Sequence, residues 1–224
     1  SKTAIVSDKA EIGDEVEIVT NQTPFYAESG GQVSDHGSIK GEGIDLVVQD
    51  VQFHDELIVH NCIGKIDGNN FSVKCQIDDR RRQMIRKNHT ATHLMHKALK
   101  VVLGDHVQQA GSLVHPNYLR FDLTHFEKIS SDDITEIENI VNDEILSNNK
   151  LDISIKSFDQ AKKEGAVAMF GEKYGDQVRV ITVADFSKEL CGGTHVNRTG
   201  DIGLFKITEE SSFCLLYTSP SPRD

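Results

Sequence analysis

Two stretches of this chain carry transition-metal ligands at matched spacing: His89-Thr90-Ala91-Thr92-His93 and Cys191-Gly192-Gly193-Thr194-His195. On a helix, residues four apart lie one turn apart on the same face, so both side chains of such a pair reach one ion. Three imidazoles and a thiolate suit zinc, at ligand distances of about 2.0–2.3 Å. The pattern predicts one zinc site, with His89, His93, Cys191 and His195 as ligands. Because two distant segments build it, the site points to chemistry rather than to a local zinc finger. A zincin protease is excluded, since its helix carries Glu directly after the first histidine and Thr90 stands there. His96, on the same helix face, reads as a satisfied core histidine. Between the later ligands, Gly192 and Gly193 let the backbone approach a substrate, since glycine has no Cβ. A tight turn that merely orients the ligands is an equally good reading of them.

These ligands need elements to hold them. Up to about Asp78 the chain reads as strands and turns. Val16 and Ile18 alternate with Glu15 and Glu17, Leu46-Val47-Val48 is a short apolar run, and residues 57–63 and 71–77 follow. Turn signals lie at Gly30-Gly31, Gly41-Glu42-Gly43 and Asp67-Gly68. This spacing fits a small β-barrel or sandwich. A helix then begins at Asp78 or Asp79 and ends at Gly104. Ile85, His89, Thr92, His96, Leu99 and Leu103 mark one of its faces, so the histidines point inward with the apolar stripe. Residues 119–123 alternate as a strand, and Ser130 or Ser131 caps a second amphipathic helix with Ile134, Ile137, Val141 and Ile145. Further strands are expected at residues 151–155, 178–183 and 202–207. The mixed order predicts an α+β fold, with helices on a largely antiparallel sheet.

Composition sets the outer bounds. The chain has 224 residues, 38% hydrophobic and 26% charged, enough to bury a real core. No apolar run approaches a membrane span, and the start shows no secretion signal, so a cytoplasmic protein with reduced cysteines is expected and Asn-x-Thr triplets such as Asn88-His89-Thr90 are chance. A net charge of −11 argues against a general nucleic-acid binder, and DNA is not an expected partner. A local RNA contact stays open, because Arg80, Arg81, Arg82, Arg86 and Lys87 cluster ahead of the first histidine pair; a solvated helix start is the competing reading. The polar, glycine-rich stretch at residues 23–32 reads first as a structural turn. Tyr26, Glu28, Ser29 and Gln32 around it keep a binding role open.

Five segments in order (residues 23–32, 88–93, 106–114, 170–176 and 189–196) make the chain resemble the editing region of alanyl-tRNA synthetase. That resemblance implies a small β-barrel subdomain over residues 1–78, with the glycine-rich loop, followed by a zinc-containing α+β editing domain over residues 79–213. It implies Zn2+ at the four ligands above, catalytic roles for Gln32 and Cys191, and substrate-binding roles for Gly30, Gly31, Gln109, Ser112, Gly192, Gly193 and Thr194. The last residues, 214–224, resemble the translation of a sequencing adaptor and are expected to be foreign and loosely packed, leaving a sheet edge exposed after residues 202–207. Cys62, Cys75 and Cys191 would then be the native cysteines.

The implied reaction is hydrolysis of the ester joining serine or glycine to mischarged tRNA(Ala). The resemblance places adenylate formation, with its ATP site and ligase activity, in another part of the synthetase, so no aminoacylation is expected from this segment. Zinc can activate water or hold the aminoacyl end; with four protein ligands the tetrahedral shell is closed, which favours holding. The alternatives are a free-standing trans-editing deacylase and a non-catalytic zinc-dependent tRNA-binding module. The sequence does not define the oligomeric state.

Overall fold

The computed structural model describes residues 9–68, 72–168 and 174–211. Its first part is an antiparallel sheet of six strands: β1 (Lys9–Ala10), β2 (Glu15–Val19), β3 (Gly37–Gly41), β4 (Ile44–His54), β5 (Leu57–Asp67) and β6 (Val73–Ile77). The order is β1-β5-β4-β3-β6, with β2 also pairing β5. Alternation in β4 buries Ile44, Leu46 and Val48 against Phe25, Ala27, Ile39 and Cys62, which form one core. The expected small barrel is corrected here. Among the described residues the ladder does not close, because β6 pairs only with β3 and β1 and β2 pair only with β5. Open and closed sheets share the same two-residue alternation, so spacing could not distinguish them.

Helix α1 (Asp79–Leu103) follows at once. Asp78 caps it by accepting the Arg81 backbone N–H, and Gly104 ends it at φ 108°. The buried surface is wider than the predicted stripe: from His89 to His96 every residue is buried. The helix lies between layers, touching α2 (Ser131–Leu146), the hairpin β7 (Gln108–Val114) and β8 (Leu119–Thr124), and β11 (Ser187–Leu190). Leu94, Met95, Ala98 and Leu99 share a core with Ile137, Val141 and Ile145 of α2 and Ile181 and Val183 of β10 (Gln177–Val183). β10 is the middle of an antiparallel sheet, between β11 and β9 (Leu151–Ser157). A short helix, α3 (Phe158–Lys163), packs on β9 and β10 and was not legible in the sequence.

A second expectation fails at residues 202–207. A 3-10 turn spans Thr199–Ile202, and no strand follows it among the described residues. Side chains of α2 take the backbone groups instead. Asn142 bonds both N–H and C=O of Phe205, and Glu138 accepts the N–H of Ile207. The exposed sheet edge expected there is therefore not formed. Residues 214–224 lie outside the described residues. Among the described residues no helix is long and apolar enough to cross a membrane.

Candidate metal centre

The four expected ligand atoms converge within 4.8 Å of one another. Cys191 Sγ lies 3.4 Å from His89 Nε2 and 3.3 Å from His195 Nε2. A tetrahedral zinc with ligand bonds of about 2.0 and 2.3 Å sets its nitrogen and sulfur about 3.5 Å apart, so these edges match such an ion. The backs of the rings fit as well. Each Nδ1 faces an oxygen: Gln32 Oε1 at 2.7 Å for His89, Glu189 Oε2 at 2.7 Å for His93, and Thr90 Oγ1 at 3.2 Å for His195. Oxygen partners on Nδ1 keep the proton there and leave Nε2 as the donor to a metal. A divalent cation, the Cys191 thiolate and the Glu189 carboxylate together carry no net charge, which suits burial.

Electrostatics prepare the ligands. Burial would raise the Cys191 thiol, but His89 and His93 beside it hold it well below its ordinary value. Burial would likewise raise Glu189, yet His93 holds it well below the carboxylate range. Burial opposes a charge on His93, but Glu189 and Cys191 keep its value well above that of a free imidazole. His195 is pushed down to about 3 by burial and by His89.

The helix-borne pair behaves as the spacing predicts. The other pair lies in a loop after β11, not on a helix as the shared spacing implied. Side chains from elsewhere hold that loop. Gln32 Oε1 accepts the Thr194 backbone N–H at 2.8 Å and faces its hydroxyl at 3.2 Å. Arg179 donates to the carbonyls of Cys191 and Gly193, and Thr90 Oγ1 accepts the Val196 N–H. A Cβ on Gly193 would meet His89 Cε1 at 2.0 Å, so glycine there makes room for a ligand ring. A Cβ on Gly192 would meet nothing within 4 Å among the described residues.

Gln32 reaches this site from the N-terminal sheet because its loop is pinned at several points. His60 bonds Thr23, and Asp35 accepts the Tyr26 N–H. Arg82, two turns before His89 on α1, pairs with Asp35 and donates to the Pro24 carbonyl. Arg81 donates to the Ser34 carbonyl. Two members of the arginine cluster thus work within the chain, staples rather than a solvated helix start. Gly31, at φ 79°, would bring a Cβ within 2.6 Å of the Ser112 backbone, and its carbonyl accepts the Val114 N–H, so the loop lies on β7.

The site opens into a cleft of about 250 Å³. Of the expected residues, Gly30, Gln109, Ser112, Gly192, Gly193, His89, His93 and Cys191 line it. Gln32 is fully buried beneath it, while Gly31, Thr194 and His195 stand behind the lining. Gln109 Nε2 donates to Ser112 Oγ at 3.0 Å, giving the wall a polar rim. Thr92, Tyr174, Gln177, Arg179 and Glu189 also line the cleft and were not expected. Glu189 opens the segment 189–196 that carries the resemblance, and a carboxylate two residues before a thiolate ligand was the available clue; Arg179 gave none. Of the segment at 170–176, residues 170–173 lie outside the described residues.

Comparison with known proteins places this geometry in a family. The profile described as "Threonyl and Alanyl tRNA synthetase second additional domain" matches residues 178–212, and "tRNA synthetases class II (A)" matches residues 2–81. An alanine–tRNA ligase of Fervidobacterium nodosum is 54% identical over 210 residues, covering 92% of this chain and 24% of the relative. That of Myxococcus xanthus is 52% identical over 220 residues, covering 93% and 24%, and that of Stenotrophomonas maltophilia 51% over 206 residues, covering 90% and 23%. The chain spans about a quarter of the length of these relatives. By this similarity the chain belongs to the alanyl-tRNA synthetase family and corresponds to the segment resembling its editing region.

Proposed function

We propose that this segment is an aminoacyl-tRNA deacylase that hydrolyses the ester of serine or glycine on mischarged tRNA(Ala), in the cytoplasm. The observation that carries the reading is the placement of the His89, His93, Cys191 and His195 cluster at the wall of a small polar cleft. At about 250 Å³ the cleft is smaller than the ~300–1,000 Å³ of sites for larger organic ligands, and suits a small amino acid with part of its ribose.

The chemistry of discrimination favours a second site of this kind. An apolar pocket rejects an analogue with one added hydroxyl by only about 10²-fold, whereas a site built to hydrogen-bond that hydroxyl rejects the analogue lacking it far more strongly. Gln109, Ser112 and Thr92 supply polar groups along the wall. Gly30 and Gly192 leave space for the substrate's backbone atoms. With its four protein ligands closing a tetrahedral shell, the zinc would orient the aminoacyl end by fixing the cleft wall around it. Cys191 acts as a ligand. Gln32, fully buried, acts through the rings and loop it holds: its Oε1 sets His89 and Thr194.

The test is deacylation of seryl-tRNA(Ala) by the purified zinc-loaded protein, with alanyl-tRNA(Ala) as control. Serine should be released and alanine spared, and Cys191→Ala should abolish release. Tight tRNA binding without hydrolysis would overturn the reading in favour of a non-catalytic module.

A further inference from the structure

His96 follows ligand His93 by three residues on α1 and is 5% exposed. Its Nδ1 lies 3.2 Å from Oε1 of Glu189, and the other oxygen of that carboxylate lies 2.7 Å from Nδ1 of His93. The remaining ring nitrogen of His96, Nε2, is buried without a hydrogen-bond partner among the described residues. An N–H left there would be buried and unsatisfied, so the favoured tautomer carries its proton on Nδ1, pointing at Glu189. Ser187 Oγ donates to the same Oε1 at 3.4 Å.

The two oxygens of Glu189 thus lie against two imidazoles, one in a hydrogen bond with His96 and the other at ion-pair distance from His93. The terminal torsion of a glutamate is soft, so a single contact does not fix the plane of the carboxylate. Two contacts on opposite oxygens do. We propose that His96 is a positioning residue of the metal centre: its Nδ1–H holds the Glu189 carboxylate in the plane that keeps His93 turned with Nε2 toward the ion. The competing role is packing, since the ring lies 5.4 Å from that of Phe121. The inference rests on the metal reading above, and the two can fail separately.

Three variants distinguish donor from volume. His96→Asn sets an amide N–H close to the place of Nδ1 but loses ring volume. His96→Phe keeps the volume and loses the donor. His96→Gln is polar but carries its amide nitrogen near the place of Nε2. Zinc affinity is read by chelator competition, alongside the melting temperature of each metal-free protein. His96→Phe and His96→Gln should each lose about tenfold or more in zinc affinity, the range for groups that orient ligands, while His96→Asn stays close to wild type even with a lower melting temperature. Affinities that follow the melting temperatures, with His96→Phe at least as tight as His96→Asn, would overturn the proposal. A wild-type protein that takes up no zinc would instead overturn the metal reading itself.

Discussion

His89 and His93 ride on a capped helix of 25 residues, while Cys191 and His195 sit in a loop whose Thr194 and Val196 N–H groups go to side chains of distant elements. Backbone periodicity alone places the first pair. The second pair depends on Gln32, Thr90 and Arg179, contributed by three different elements, and on a glycine that admits a ligand ring. The contrast also shows how the N-terminal part of the chain meets the site. It delivers Gln32, whose single carbonyl oxygen serves a ring from the helix and an N–H from the loop, joining the two pairs.

The largest effect should come from the loop glycines. Gly193→Ala puts a methyl onto the His89 ring, where neither the backbone nor the ligand has room, and should lower zinc affinity by about 100-fold or more. Gly192→Ala meets open space and should leave zinc affinity unchanged while impairing substrate. Equal effects in a chelator competition would remove the distinction between the two positions.

Next comes the joint between the pairs. Gln32→Ala strands a backbone N–H and a histidine N–H, at about 1–3 kcal/mol for each buried group left unpaired, and should weaken zinc by about tenfold. Gly193→Ala should damage the metal site more than the fold, whereas Gln32→Ala should lower both together. Denaturant melts of the metal-free and zinc-loaded forms measure this split.

A smaller effect concerns thiol chemistry. In metal-free protein His89 and His93 hold the Cys191 thiol at the cleft well below its ordinary value, while burial pushes the Cys62 thiol up to about 12, with Cys75 adding to it. Alkylation should therefore modify Cys191 before Cys62, and zinc should slow it. Because the Cys191 value is depressed, its reactive form persists as pH falls below the range of an ordinary thiol; Cys62 stays protonated until strongly alkaline pH. Mass spectrometry of labelled peptides reads both, and rapid labelling of Cys62 would contradict its burial.

Much of this was legible in residue types and spacing. Gly104 marked the end of α1, the two cap candidates at each helix start included the actual caps Asp78 and Ser130, and the four ligands stood out as two matched pairs. What escaped was whatever depended on partners far away in the chain. Residues 202–207 look like a strand by composition, but Asn142 and Glu138 take their backbone bonds. Glu189 looks like one more polar strand residue until His93 and His96 are seen on its two oxygens. Thr90 looked like the absence of a protease base, and it faces His195 instead. Open and closed sheets share one pattern, so the barrel could not be read from it.

The most direct test is zinc K-edge X-ray absorption on the purified protein, with metal content measured on the same sample. The account predicts one zinc per chain, with three nitrogens at about 2.0 Å and one sulfur at about 2.3 Å. A stoichiometric zinc with only nitrogen and oxygen neighbours, or a folded protein that binds none, would contradict it.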